Sequence, residues 1–259
     1  GDLEKFGVSN VSINAEYDEE FALILAENAD AEGIPAGISG EMEKHLDHGT
    51  LIPLYFINRI YTDFKLVRIG LSGLSPVEHY RLGKVIKKTA EKLGRKTVFI
   101  ASGDLSHRLL ADGPYGFAPE GPEFDKLVTA AMDKGDFLSF LSAEPSLCEA
   151  AGECGLRSFI IMAGALDGKA VRSKLLSYEG TFGVGYAVAA FDVTGNDESR
   201  HFDNIFESIE KEKLKEIKIQ EDSYVRLARL SLEAYIKDGK RLKVPQGLPE
   251  EMLNKKAGV

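Results

Sequence analysis

The sequence feature that most constrains the fold is a short apolar run at residues 97–101, which passes directly into the polar segment 102–107. Thr97, Val98 and Ile100 are β-branched, as is typical of a strand that is buried on both faces of a sheet. Segments with helical periodicity lie on both sides of this run, and alternating strands and helices are typical of α/β domains. The sequence therefore predicts an α/β fold with helices on both faces of a central, mostly parallel or mixed sheet.

The other elements follow from hydrophobic periodicity and from the residues that cap helices. Ser75 followed by Pro76 is a typical helix start. Helices are predicted over residues 18–32, 76–93, 122–133 and 156–166. Strands are predicted over residues 8–14, 34–38, 64–70, 171–178 and 185–193. The apolar run at 51–60 is expected to be buried.

Charge and composition exclude several classes of partner. The chain has 259 residues, with 41 acidic and 32 basic side chains and a formal charge of −9. An acidic surface repels a phosphate backbone, so no nucleic-acid partner is expected. No stretch approaches the roughly 18 apolar residues that span a bilayer, and the first residues lack a signal-peptide pattern. With two cysteines and no disulfide framework, we expect a cytoplasmic protein without a membrane partner, monomeric or homo-oligomeric.

A change in composition at residues 194–199 indicates a domain boundary. A charged segment follows, and Asp222 then caps a helix predicted at 224–237. The chain is expected to contain a first domain over residues 1–194, a linker over 195–218 and the beginning of a second domain over 219–259.

The segment 102–107 is the strongest candidate for a functional loop, because ligands of open α/β sheets gather beyond the carboxyl ends of strands. The imidazole of His107 could exchange protons near neutral pH, and Asp104 could hold its tautomer. The alternative is a turn in which Asp104 caps the following segment and His107 is incidental. His79 and His201 are expected to be surface residues.

Two further segments carry reactive side chains. His45 and His48 are three residues apart, and His48 precedes Gly49 at a bend, although a polar loop with two exposed imidazoles is an equally simple interpretation. Glu153 and Cys154 offer a carboxylate and a thiol at a predicted helix start, which favours an anion or a metal ligand. The alternative there is a buried thiol beside a capping acid.

Taken in order, these segments resemble the LigB-like class III extradiol dioxygenases over about residues 1–193. The matching segments are 47–49 with 53–54, 102–107 and 161–166. Residues 178–186 resemble the branch of that family, related to the Memo-like proteins, in which the domain is fused to an AMMECR-like domain. The segments 222–229 and 248–250 look like the opening of that second domain, which implies a partial C-terminal α+β segment.

The resemblance implies an oxidoreductase that opens an aromatic diol or related small molecule with O₂ at non-haem Fe(II). Two histidines and one carboxylate hold the iron in that family. His107 matches the acid/base histidine, with Asp104 orienting it, and His48 matches a second histidine of the substrate pocket. The carboxylate ligand falls near Glu153, whereas Cys154 matches a cysteine of the Memo-like branch, so both remain candidate metal ligands.

The sequence departs from the family at the metal. The two iron-binding histidines of the family lie upstream of anything that resembles Gly1, and no histidine precedes His45. We therefore expect a chain truncated at both ends and inactive as a dioxygenase by itself. The alternative function is a non-catalytic small-molecule-binding or accessory module that works with the AMMECR-like domain or a radical-enzyme partner.

Overall fold

The computed structural model describes residues 1–4, 7–38, 46–243 and 250–254. It confirms the α/β class, because helices and strands alternate along the chain. The chain divides into two compact units, Gly1–Phe206 and Glu207–Val259. His45 and the pair Leu248 and Pro249 lie outside the described residues.

The helices account for most of the described structure. In the first unit they are α1 (Glu19–Ala31), α2 (His48–Ile57), α3 (Pro76–Leu93), α4 (Glu120–Lys134), α5 (Phe137–Leu141), α6 (Pro145–Ala151) and α7 (Leu156–Ala165). Beyond them are α8 (Phe202–Gln220), α9 (Ser223–Asp238) and α10 (Glu250–Asn254). The four predicted helices of the first unit are confirmed as α1, α3, α4 and α7.

Helix α3 has the start and the end that its sequence predicts. The Ser75 hydroxyl accepts the Glu78 backbone N–H at 3.3 Å, and the Glu78 carboxylate accepts the Ser75 N–H at 2.8 Å. Gly94 ends the helix in the left-handed conformation. Helix α3 packs against α7 at Gly83 and Gly164, where a Cβ on either residue would meet the backbone of the other helix. These two glycines let the helix axes approach closely.

The main core surrounds α7, which is buried along most of its length. Its aromatic members include Phe124 of α4, Phe137 and Phe140 of α5 and Phe159 of α7. Burial of each large aromatic side chain contributes about 2 to 3 kcal/mol to folding. The core therefore fixes the N-terminus of α7, next to which Glu153 and Cys154 lie.

The strands are β1 (Asp2–Leu3), β2 (Val8–Ser12), β3 (Glu16–Tyr17), β4 (Lys65–Leu66), β5 (Lys169–Glu179) and β6 (Tyr186–Asn196). They form three two-stranded sheets, of which β3–β4 is parallel while β1–β2 and β5–β6 are antiparallel. The long β5–β6 hairpin packs on the main core through alternate side chains such as Leu175, Ala189 and Phe191. This hairpin supplies one wall of the loop at 102–107.

The predicted strands at 34–38 and 97–101 are not formed, and the predicted continuous central sheet is absent from the described part of the chain. Phe99 packs against the core, yet Val98 is 88% exposed. A β-branched run becomes a strand only where a neighbouring backbone pairs with it, and the local sequence does not encode that neighbour. The prediction for 97–101 was therefore wrong in its secondary structure.

The apolar run at 51–60 is only partly buried. It lies largely in α2, where Leu51 and Leu54 face the interior while Ile52 and Phe56 are exposed, as is Ile60 beyond the helix. One face of a short helix is enough to bury Leu51 and Leu54, so the opposite face stays in solvent.

The second unit contains most of α8, and also α9 and α10. The Asp222 carboxylate accepts the backbone N–H groups of Tyr224 and Val225, which confirms the predicted cap of α9. Arg229 pairs with Glu221. Within the described residues, no helix combines the length and the apolar composition that a membrane span needs.

Candidate functional site

Three side chains that can bind a metal meet at the loop 102–107. The Nε2 atom of His107 lies 3.3 Å from Oδ2 of Asp104 and 3.7 Å from Sγ of Cys154. The ligand atoms of the three residues all lie within 4.8 Å of one another. We call Asp104, His107 and Cys154 the loop cluster. Cys154 is 47 residues from His107 in sequence, so the cluster is a product of the tertiary fold.

Two glycines bring the halves of the loop cluster together. A Cβ on Gly103 would collide with Cα of Gly155, and a Cβ on Gly155 would lie 2.7 Å from the backbone oxygen of Asp104. The close approach allows the backbone N–H of Asp104 to donate to Sγ of Cys154 at 3.3 Å. The glycines are therefore required by contact between the loop and the start of α7, and not by backbone conformation.

The backbone around His107 is fixed by hydrogen bonds to distant segments. The N–H of Leu105 donates to the Gly185 oxygen at 2.9 Å, and the N–H of Gly185 donates to the Ser106 oxygen at 2.7 Å. The N–H of His107 donates to the Ala151 oxygen at 3.1 Å. The loop thus lies between the β5–β6 hairpin and the end of α6, and these hydrogen bonds fix the position of the His107 backbone.

Glu153 and Cys154 point to different partners. Oε2 of Glu153, which precedes α7, accepts the backbone N–H of Leu156 at 2.7 Å, and a carboxylate is favourable near a helix N-terminus. Burial raises the pKa of the Glu153 carboxyl. Cys154 is exposed as a residue and its thiol faces His107, where partial desolvation of the sulfur raises the pKa of the thiol. Cys154 is therefore in the loop cluster, whereas Glu153 caps α7.

His48 begins α2, and this helix touches the functional loop one residue later. Pro53 has no N–H, so the carbonyl of Gly49 lacks the donor that a regular helix would supply. The hydroxyl of Ser102 donates to that carbonyl at 2.6 Å. The structure thus joins the turn that carries His48 to the first residue of the loop 102–107.

Two tyrosines adjoin the loop cluster, and the sequence alone did not single them out. The ring of Tyr115 stacks on the imidazole of His107, with centroids 4.9 Å apart and planes 23° apart. Tyr186 follows Gly185, which is bonded to the loop, and burial, and then the charge of Asp104, raises the pKa of its phenol. Tyr186 is the last residue of the 178–186 segment that resembles the family, and this resemblance is the signal in the sequence that could have identified it. Aromatic faces at this position favour a planar ligand.

The other described histidines lie elsewhere in the fold. His79 was expected at the surface but is only 3% exposed, because α3 packs it against the preceding turn, where Nδ1 lies 3.0 Å from the Ser75 oxygen. His201 is partly buried, with Nδ1 2.9 Å from Asp167 and Nε2 3.1 Å from Glu198. The expectation of exposed imidazoles was therefore wrong for His79 and incomplete for His201.

The loop cluster fits only part of the metal site that the resemblance implies. It offers one imidazole nitrogen, one thiol sulfur and one carboxylate oxygen, a set that suits a borderline divalent cation. Fe(II) in the implied site needs two imidazoles and one carboxylate. A second imidazole does not join the cluster within the described residues.

Comparisons with known proteins find one family and two relatives that match this chain. Residues 1–189 match the family described as the catalytic LigB subunit of aromatic ring-opening dioxygenase. The chain is 40% identical, over its whole length, to "Protein CA_C1420" of Clostridium acetobutylicum, of which the match covers 57%. It is 24% identical over 62% of its length to the 3,4-dihydroxyphenylacetate 2,3-dioxygenase of Escherichia coli, of which the match covers 63%. The chain thus spans less than two thirds of either relative.

The family match extends over most of the first compact unit and includes every residue of the loop cluster. The chain therefore belongs to the LigB family of aromatic ring-opening dioxygenase subunits.

Proposed function

We propose that this chain carries the acid–base part of a non-haem Fe(II)-dependent extradiol dioxygenase site, which opens an aromatic diol or a related small molecule with O₂. Membership of the LigB family and the similarity to a named dihydroxyphenylacetate dioxygenase support this reaction class. The observation that carries the proposal is the position of His107, between a carboxylate, a thiol and a stacked aromatic ring.

His107 is the proposed acid and base. Its imidazole takes a proton from one hydroxyl of the diol and returns a proton to the opened product, which is the general acid–base role that histidine most often fills in enzymes. The carboxylate of Asp104, 3.3 Å from Nε2, stabilises the protonated imidazole by its charge. Asp104 thereby keeps the ring oriented while the proton is held.

The aromatic side chains orient the substrate. Tyr115 fixes one face of the His107 ring, and the exposed part of Tyr115 leaves an aromatic surface on which a planar diol can lie. His48 is the second pocket histidine of the proposal, because the turn that carries it is bonded to Ser102 at the start of the same loop. These contacts hold the diol hydroxyls near Nε2 of His107.

When bound, Fe(II) supplies the redox chemistry that joins the diol to O₂. Cys154 is the better placed of the two candidate ligands, since Glu153 already accepts the Leu156 N–H. The one imidazole of the loop cluster is the acid/base group, so the cluster leaves no imidazole to bind the metal, and this chain by itself should hold Fe(II) weakly and turn over slowly. The imidazoles of the complete set then have to come from residues other than those of the cluster.

A second candidate function follows from the same donor set. A side-chain cluster with one imidazole and a protonated thiol can bind a small molecule without iron chemistry. In that case the chain is an accessory module, which works with an AMMECR-like domain beginning near residue 219 or with a radical-enzyme partner. It would bind an aromatic metabolite without opening its ring.

The test is oxygen uptake with a panel of catechols after anaerobic loading with Fe(II). The chain and the full-length relative from Clostridium acetobutylicum are compared, each with its bound iron measured. We expect ring-opened product with the relative and far slower turnover with this chain. Ring opening by neither protein at full iron occupancy would overturn the dioxygenase proposal in favour of the accessory module.

A further inference from the structure

A carboxylate of α4 lies under the functional loop and has no part in the chemistry described so far. Asp125 is 1% exposed, and both of its oxygens accept hydrogen bonds. Oδ1 accepts the backbone N–H of Ser106 at 2.7 Å, and Oδ2 accepts the hydroxyl of Tyr178 at 2.7 Å. Asp125 thus connects α4, the loop and strand β5 at one buried point.

The surrounding chain is shaped to admit this carboxylate. A Cβ on Gly185 would collide with Oδ2 of Asp125, so only glycine fits at that position of the hairpin. Burial raises the pKa of Asp125, and the bonds from Tyr178 and Ser106 oppose that rise. Burying a carboxyl costs free energy, which two donated hydrogen bonds partly offset.

The connection reaches His107 through Ser106, which is completely buried. The backbone N–H of Ser106 donates to Asp125, and the backbone oxygen of Ser106 accepts the N–H of Gly185. The Ser106 hydroxyl donates to the Ala151 oxygen at 2.9 Å. The next N–H, that of His107, donates to the same Ala151 oxygen. With every polar group of Ser106 bonded, the direction of the backbone into His107 is fixed.

We propose that Asp125 is a positioning residue, which aims the imidazole of His107 at Asp104 and Cys154 through the backbone of Ser106. The proposal rests on the role of His107 given above. A displacement of about 1 Å at a reacting group can cost a hundredfold in rate, so a buried clamp next to the acid/base residue has a large effect. Tyr178 holds the second oxygen of Asp125 and so fixes the clamp itself.

Two substitutions at the same position test the proposal. Asp125→Ala removes the acceptor of the Ser106 N–H. Asp125→Asn keeps an acceptor, because its amide oxygen can take that N–H while its amide NH₂ donates to the Tyr178 hydroxyl oxygen. We expect hydrogen exchange at the Ser106 and His107 amides to accelerate about tenfold in Asp125→Ala and to change little in Asp125→Asn.

A second readout follows the imidazole directly. The stacked ring of Tyr115 shifts the NMR signals of the His107 ring protons, and this shift should collapse in Asp125→Ala and persist in Asp125→Asn. The control is Asp136→Ala, which removes a carboxylate that accepts the Ser139 N–H in the same way at the start of α5. It should leave the His107 signals in place. If Asp125→Ala does not fold, Tyr178→Phe gives the same readouts, with a smaller acceleration at Ser106.

Wild-type exchange and His107 signals in both Asp125→Ala and Tyr178→Phe would overturn the proposal. The proposal would also be overturned if Asp125→Asn accelerated exchange and lost the His107 shift as much as Asp125→Ala. The charge of Asp125 would then matter, and not its hydrogen bond. Where the wild-type protein turns over a catechol, kcat should fall about tenfold in Asp125→Ala with KM unchanged. Absence of ring opening in both this chain and the full-length relative would contradict the proposed function, while the NMR readouts would still decide the positioning role.

Discussion

Two histidines of the first unit each contact carboxylates, but their surroundings differ. His107 lies 3.3 Å from Asp104, whose side chain is 41% exposed. His201 lies 2.9 Å from Asp167, whose side chain is 3% exposed, and 3.1 Å from Glu198. One imidazole faces a partly open carboxylate and a thiol, whereas the other is held between two carboxylates.

The partners of the two aspartates explain the difference. Oδ1 of Asp167 accepts the hydroxyl of Tyr80 at 2.8 Å, and its backbone oxygen accepts Nζ of Lys87 at 2.6 Å. Lys84 is within 3.9 Å of the same carboxylate and pairs with Asp203 at 2.7 Å. Asp167 is therefore a structural junction of α3 with the residues that follow α7. Asp104 keeps an open side on which a ligand can bind.

Removal of Asp167 should give the largest change in stability. Asp167→Ala leaves Tyr80 and Lys87 without the carboxylate, and loss of one member of a buried charged network costs about 3 kcal/mol. Asp104→Ala, at the exposed carboxylate, should change the free energy of unfolding by about 0.5 kcal/mol or less. Urea denaturation of the two variants measures both values. Equal losses of unfolding free energy would mean that Asp104 is as much a structural residue as Asp167.

For activity the order should be the opposite: removal of the His107 imidazole, beside Asp104, should have a larger effect than removal of the His201 imidazole, beside Asp167. In a preparation that opens a catechol ring, His107→Ala should lower the rate about a hundredfold, because general acid–base catalysis contributes that much or more. His201→Ala should stay within about twofold, since its carboxylates belong to the structural junction. Oxygen uptake at saturating catechol separates them. A wild-type rate in His107→Ala would remove this residue from the mechanism.

A smaller effect is expected in the pH dependence of stability. Hydrogen bonds to Glu198 and to Asp167 raise the pKa of His201 above the ordinary value of about 6.5. The folded state then holds the proton more tightly than the unfolded state, so this stabilisation is complete below about pH 6.5 and is lost as the pH rises through the folded pKa.

Because His201 is partly exposed, the loss should be about 1 kcal/mol or less. Unfolding free energies at about pH 6 and pH 9 measure it, and His201→Gln should reduce the difference. The matched variant His107→Gln controls for other groups that titrate in this range. A difference that His201→Gln leaves intact would place the pH dependence elsewhere.

The smallest expected effect is on thiol reactivity. Cys154 is exposed, whereas Cys148 is half-buried and burial raises its pKa to about 11. Iodoacetamide should therefore modify Cys154 first, with a rate that rises with pH because the thiolate is the nucleophile. Divalent metal bound at the loop cluster should protect Cys154 and leave Cys148 unchanged. Peptide mapping after brief alkylation reads both, and preferential labelling of Cys148 would contradict this assignment.

Much of the helical structure could be predicted, because helix bounds depend on residues close in sequence. Ser75 and Asp222 cap α3 and α9 as expected, and Asp18, predicted as the first residue of a helix, is the cap of α1. Strands were harder, since 97–101 has strand composition yet no strand pairing in the described structure. The roles assigned to Asp104, His107, His48, Glu153 and Cys154 remain predictions.

The sequence by itself determined the α/β class, the main helices and the loop that carries Asp104 and His107. Only the tertiary structure decided that Cys154 faces His107, that Tyr115 stacks on it and that Asp125 holds Ser106 from below. The physical reason is the range of the interactions. Caps and periodicity act within a few residues, whereas these contacts join segments that meet only when α4, α7 and the β5–β6 hairpin pack around one core.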